Sequence, residues 1–131
     1  LVASPGYLAA HGEPGSLIEL QQHACLLYRL GDAVHDRWRF DLPGEPQIKV
    51  RGTRISDDGD VVRLWALRGL GVAYKSYLDV SRELASGELV QLLPDLQGEL
   101  APVHLLLIHR QRLNPALREL AQAMARFCQQ L

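Results

Sequence analysis

The chain has 131 residues, with 14 Lys and Arg against 15 Asp and Glu, for a net charge of −1. Its 47% hydrophobic and 22% charged residues are those of a globular chain with a real core, which excludes intrinsic disorder. The length suits one domain or two small lobes, and the balanced charge is unlike that of a free-standing nucleic-acid binder.

The elements alternate between short strands and helices. Val2-Ala3 reads as an opening strand ending at Ser4, and Ser4-Pro5 as an N-cap with proline at N1, starting a helix over 5–10 that stops at Gly12. Ser16 with Glu19 three residues on is a capping box for a second helix ending near Gln22. Residues 24–28 form a buried-strand candidate. Trp38-Arg39-Phe40 and Gln47-Ile48-Lys49-Val50-Arg51 alternate on either side of a Pro43-Gly44 turn, which predicts a hairpin. Asp57 is the expected N-cap of the next helix, with Asp60 at N3 and Val61, Val62, Leu64, Trp65 and Leu67 on a wide apolar face. Residues 71–74 then read as a buried strand leading into a helix over 76–85, stopped by Gly87. Residues 89–93 and 103–108 are the remaining strands, and Asn114-Pro115 begins a last helix carrying Leu117, Leu120, Ala121, Met124 and Cys128. Strands alternating with helices around a hairpin predict an α/β protein with a mixed sheet.

Cys25 and Cys128 are no disulfide framework, and reduced thiols in a cytoplasmic protein are expected. No apolar run is long enough to span a bilayer, so no membrane partner is expected. The single methionine is Met124 and the chain opens on Leu1, which suggests a piece of something larger.

Chemistry-bearing residues point to binding more than to catalysis. The five histidines show no metal-ligand spacing, and no phosphate loop, nucleophile elbow or zinc motif is present, so neither metal nor cofactor is expected. Asp57, Asp58 and Asp60 are either an acid/base cluster or acids placed to complement a helix dipole. Tyr28, Arg29 and Leu30 end a buried strand, where open α/β sheets bind ligands, and Arg29 is either a fork for a carboxylate or a solvated loop arginine. Lys75-Ser76 ends another apolar strand and Ser4 the opening one. Both serines have helix capping as their alternative role.

Several segments in order resemble the effector-binding domain of LysR-type transcriptional regulators. They are Leu1-Val2-Ala3-Ser4-Pro5-Gly6-Tyr7-Leu8, His23-Ala24-Cys25-Leu26-Leu27-Tyr28, Trp38-Arg39-Phe40, and the stretch from Asp57-Asp58-Gly59-Asp60 through Gly69-Leu70-Gly71-Val72-Ala73. Leu84-Ala85-Ser86-Gly87-Glu88-Leu89-Val90-Gln91-Leu92-Leu93-Pro94-Asp95 and Leu113-Asn114-Pro115-Ala116-Leu117-Arg118 complete the likeness.

The resemblance implies a fold like that of type 2 periplasmic binding proteins, with one complete lobe and part of another. Residues 1–4 would be the first crossing strand, 5–101 the second lobe, and 102–131 a strand and helix returning to the first lobe. It also implies a small-molecule effector in an interlobe cleft, lined here by Tyr28, Arg29, Leu30, Asp57, Asp58, Lys75 and Ser76, with Ser4 a further candidate. Asp57 replaces the family's commoner Asn, Lys75-Ser76 its frequent Leu-Pro, and Ile108-His109 its Tyr-Pro pair. Arg29 and Lys75 favour an anionic effector, while the aspartates favour a cationic part or lie beyond its reach. DNA would be bound only by an N-terminal helix-turn-helix absent from these residues. A homo-oligomer is expected, with Leu105, Leu107, Leu117 and Leu120 as an apolar patch that could pair two copies. A transport solute-binding protein of the same fold is the alternative, and an enzyme centred on the aspartates a third class.

Overall fold

The structure is a computed structural model that describes residues 1–41, 43–44, 47–99, 104 and 115–128. Apart from His104, which is exposed, the expected strand over 103–108, with Leu105, Leu107 and Ile108-His109, therefore lies outside the described residues. The chain divides into two compact units, Leu1–Leu100 and Ala101–Leu131.

The first unit is built on a five-strand path. Strands β1 (Val2–Ala3), β2 (Cys25–Leu30), β6 (Arg54–Ser56), β7 (Val72–Ala73) and β8 (Val90–Gln91) stand side by side in the order β6-β2-β7-β1-β8. β6, β2 and β7 are parallel, β1 is antiparallel to β7, and β8 is antiparallel to β1. Strand β3 (Ala33–Val34) folds back on the end of β2. Strands β4 (Arg37–Arg39) and β5 (Gln47–Lys49) form the separate hairpin that their alternation predicted, with Trp38 opposite Ile48.

Successive β2 side chains serve two cores because strand side chains alternate between faces. Leu26 joins Val2, Ala73, Val62, Ala66 and Val80 under helices α2 (Gly59–Leu67) and α3 (Tyr77–Ser86). Cys25 and Leu27 join Ala3, Val72, Tyr7, Leu20, Trp38 and Phe40 on the other face, beside helix α1 (Pro5–His11). Burial on both faces explains why β2 reads as an unbroken apolar run. It also pushes the Cys25 thiol up to about 12, leaving it a packing group rather than a nucleophile.

Helix starts and stops follow local chemistry, with two corrections. Ser4 caps α1 as expected, its hydroxyl accepting the Tyr7 N–H at 3.2 Å, and Gly87 ends α3 at φ +77°. The cap of α2 is Asp58, not Asp57: one carboxylate oxygen accepts the Asp60 and Val61 N–H groups at 2.8 and 3.4 Å. β6 runs on to Ser56, whose hydroxyl accepts the Asp58 N–H at 3.1 Å, so the chain turns one residue later than the pattern suggested. The second helix is a five-residue 3-10 segment, Ile18–Gln22, rather than an α-helix. Glu19 there accepts from the Gly15 N–H and the Ser16 hydroxyl and does not complete a capping box.

In the second unit, α4 (Pro115–Cys128) keeps the expected helical spacing. Leu117, Leu120, Met124 and Phe127 stand exposed along it, and none of its residues is buried.

The junction between α1 and β2 carries a titratable contact. Ala24 N–H donates to the Tyr7 phenol oxygen at 3.1 Å, and the same phenol shares a hydrogen bond with His23 Nδ1 at 3.1 Å. Desolvation, and then the neighbouring His11, lower the His23 pKa below 6.5, with Glu19 opposing them. The unfolded chain therefore takes up this proton first, so stability is full above about pH 6.5 and falls as pH drops through the folded-state pKa. The urea midpoint should be lower at pH 5.5 than at pH 7.5. His23→Gln, which keeps a hydrogen-bonding group for Tyr7, should reduce that difference, and an unaltered difference would remove His23 from the explanation.

Candidate functional site

Three parallel strands end on one edge of the sheet, the edge at which open α/β sheets place ligands. Register aligns them: Tyr28 stands beside Ser56, and Leu26 beside Ala73. The residues that follow β2, β6 and β7 therefore converge. They include Arg29 and Leu30 at the end of β2, Asp57 and Asp58 between β6 and α2, and Lys75 and Ser76 between β7 and α3.

Each side chain has a distinct standing on this rim. Tyr28 is half-buried and packs beside His35, with ring centroids 5.8 Å apart. Leu30 is exposed. Arg29 Nη2 lies 3.9 Å from Asp57 Oδ2, with the two side chains 49% and 74% exposed. A pair so long and so wet contributes little, so the guanidinium is free to exchange Asp57 for another carboxylate.

Lys75 differs. Its side chain is 11% exposed, its ammonium donates to the Gly59 carbonyl at 3.1 Å, and Asp79 lies 2.8 Å away. This lysine ties the first residue of α2 to the first turn of α3, so its charge is already matched. Ser76 stands at the N-cap position of α3, but its hydroxyl makes no capping bond. Asp60 pairs with Arg63, which also reaches Glu83 on α3, a second tie between the helices.

Ser4 does not join this group. Val2 is opposite Ala73 in an antiparallel pair, so Ser4 falls beside Gly71, at the far end of β7 from Lys75. At about 3.3 Å per strand residue the two ends are roughly 13 Å apart. Its hydroxyl is buried and occupied in capping α1, next to a separate hollow of about 490 Å³ that Arg68, Gly69 and Glu88 help to line.

Sequence reasoning missed the Lys75–Asp79 tie, although the i, i+4 spacing that signals it was legible. Tyr74 was expected only as the end of a strand facing the cleft, and its hydroxyl contacts, with residues 35 and 25 positions away, left no local signal. Among the described residues no group of three His, Cys, Asp or Glu is placed to hold a metal ion, and no helix is long and apolar enough to cross a membrane.

Comparison with known proteins bears on what such an edge serves. Residues 1–129 match the family described as LysR substrate binding domain. The HTH-type transcriptional regulator DmlR of Escherichia coli (strain K12) is 41% identical over 96 residues, covering 72% of this chain and 31% of that protein. The HTH-type transcriptional activator TtdR of the same strain is 35% identical over 133 residues, covering 99% of this chain and 42% of its own length. Among solved structures, the regulatory domain of CrgA, a LysR-type transcriptional regulator from Neisseria meningitidis, superposes with a TM-score of 0.66 at 30% identity. That match covers 73% of this chain and 47% of the CrgA domain. The chain thus spans well under half the length of the two curated relatives. These relatives are transcriptional regulators, which sets aside the transport-protein alternative.

Proposed function

The chain belongs to the LysR substrate-binding domain family, and on that premise we propose that it is the effector-sensing region of a LysR-type transcriptional regulator. Residues 5–101 act as one lobe, residues 1–4 as the strand that enters it, and residues 102–131 as the return to a second lobe. The separation into compact units Leu1–Leu100 and Ala101–Leu131 supports that division. The effector meets the edge formed by Tyr28, Arg29, Leu30, Asp57, Asp58, Lys75 and Ser76, and Ser4 serves α1 instead.

The observation that carries this reading is the convergence of these seven residues at the ends of three parallel strands, with Arg29 only loosely engaged. Arg29 makes the effector anionic in part: a guanidinium offers a carboxylate two parallel hydrogen bonds. Catalysis has no place in the reading, because Asp58 caps α2 and Asp60 pairs with Arg63. Binding shifts the population between two arrangements of the lobes, and a cytoplasmic homo-oligomer passes that shift to helix-turn-helix domains outside residues 1–131.

The test is an NMR titration of the chain with succinate, using putrescine as a cationic control. Succinate should move the amides of Arg29, Asp58, Gly59, Ser76 and Tyr77 with a Kd on the order of 1 mM, weak because a single edge supplies the contacts. Arg29→Ala should weaken this at least tenfold. Shifts confined to the Ser4 and Gly69 edge, or a preference for putrescine, would overturn the assignment.

A further inference from the structure

Tyr74 stands between β7 and the rim residues Lys75 and Ser76, and its side chain leaves the rim for a different part of the unit. The ring stacks on Trp38 and lies tilted against Phe40, with both centroid distances 5.6 Å. The hydroxyl donates to the Arg39 carbonyl at 2.6 Å and accepts the Glu99 N–H at 2.7 Å. Arg39 ends β4, and Glu99 lies one residue before the end of the first unit at Leu100.

The segment around Glu99 is held closely at this point. Asp41 N–H donates to the Gln97 carbonyl at 2.9 Å, Phe40 and Gly98 form an antiparallel bridge, and Glu99 N–H also reaches the Arg39 carbonyl at 3.2 Å. A Cβ on Gly98 would stand 2.6 Å from the Tyr74 hydroxyl and 3.0 Å from its ring, so a side chain at residue 98 would push the phenol off its partners. The neighbour of Tyr74 on the other side is Lys75, which grips Gly59 and Asp79. The side chains of two adjacent residues, Tyr74 and Lys75, therefore link residues 97–99 to the two helix starts of the rim.

We propose that Tyr74 is a positioning residue whose hydroxyl registers residues 97–99 against the rim, so that a change at the rim is read where the chain exits. This rests on the effector-sensing reading for its biological sense, while the contact itself stands independently. The ring alone would pack equally well as phenylalanine. The hydroxyl is what both ends of the contact share, and Tyr74→Phe removes it while leaving the packing.

Amide hydrogen exchange on the chain tests the proposal. Without ligand, Tyr74→Phe should speed exchange at Glu99 at least tenfold and leave the amides of residues 25–27 and 72–73 unchanged. Gly98→Ala should do the same, and the double variant should be no worse than the worse single variant, since both break one contact. With saturating succinate, the wild-type protein should change exchange at residues 97–99 as well as at the rim, and Tyr74→Phe only at the rim. Unchanged Glu99 exchange, a uniform rise across the sheet, or an exit response that survives Tyr74→Phe would each overturn the proposal. A rim silent to succinate in the wild-type protein would instead sink the effector reading, the ligand-free comparison alone deciding the Tyr74 contact.

Discussion

Gly52→Ala is expected to destabilise the chain by about 3 kcal/mol, seen as a lower urea midpoint with an unchanged slope. A Cβ at Gly52 would fall 1.7 Å from the Cys25 carbonyl oxygen and 2.8 Å from its carbon. Both atoms are backbone at the start of β2, so no side chain can rotate away to make room. The neighbouring Arg51 carbonyl accepts the Cys25 N–H at 3.1 Å, which holds the two segments together at that point. Relief therefore requires moving β2, whose Cys25 is in register with Val72, or the chain that leads into β6. Either movement displaces Asp57 relative to Arg29, so the variant should also lose its succinate-dependent shifts. Gly6→Ala is the control: it lies in α1 with no atom within 4 Å of the added carbon, and helix propensity alone should leave it neutral or slightly more stable. A Gly52→Ala midpoint equal to that of Gly6→Ala would mean that the connection yields freely and that β6 is not held by this approach.

The same approach explains what could be read without coordinates and what could not. Signals confined to a few neighbouring residues were legible: Ser4-Pro5 starting α1, Gly87 ending α3, and the Trp38 and Ile48 alternation pairing as a hairpin. β6 was not, because Arg54-Ile55-Ser56 has one apolar residue and owes its extended form to pairing with β2, a contact across more than 25 positions. Missing that strand also moved the α2 cap by one residue, to Asp57 instead of Asp58.

The candidate site divides in the same way. Arg29, Lys75 and Ser76 were candidates from their places after apolar strands, and Asp57 and Asp58 from a helix start and the family resemblance; the sheet register brings all five to one edge. Ser4 follows a strand too, but strand direction decides the edge, and the antiparallel pairing of Val2 with Ala73 sends it to the other end of the sheet. Lys75 was read as a cation facing a ligand, whereas its side chain is largely buried between α2 and α3 and matched by Asp79. Charge type was visible in the sequence, and charge availability was set by packing.

Trp38→Ala should cost about 3–5 kcal/mol, the usual range for emptying a large aromatic site in a core. Trp38 is 3% exposed and belongs with Phe40, Ile48 and Val50 to the core cluster that also contains Leu20, Leu27 and Val72. It is the residue of β4 that faces inward, flanked by exposed Arg37 and Arg39, so no side chain on that strand can take its place. Its ring also forms one wall against Tyr74. Trp38→Phe keeps an aromatic surface there and should cost about 1–2 kcal/mol. Against a total stability of about 5–15 kcal/mol for a domain, the alanine variant should be measurably unfolded at low urea and the phenylalanine variant should not. Circular dichroism with amide exchange separates two ways in which the loss can occur. If exchange rises throughout β2, β7 and β1, the hairpin is part of one cooperative core. If it rises only in β4, β5 and at Glu99, the hairpin opens as a local unit. The second outcome would take the Arg39 carbonyl away from Tyr74 and so mimic Tyr74→Phe at the exit while sparing the rim. A loss below about 1 kcal/mol, far under the range for a buried tryptophan, would show that the hairpin does not lean on the sheet at all.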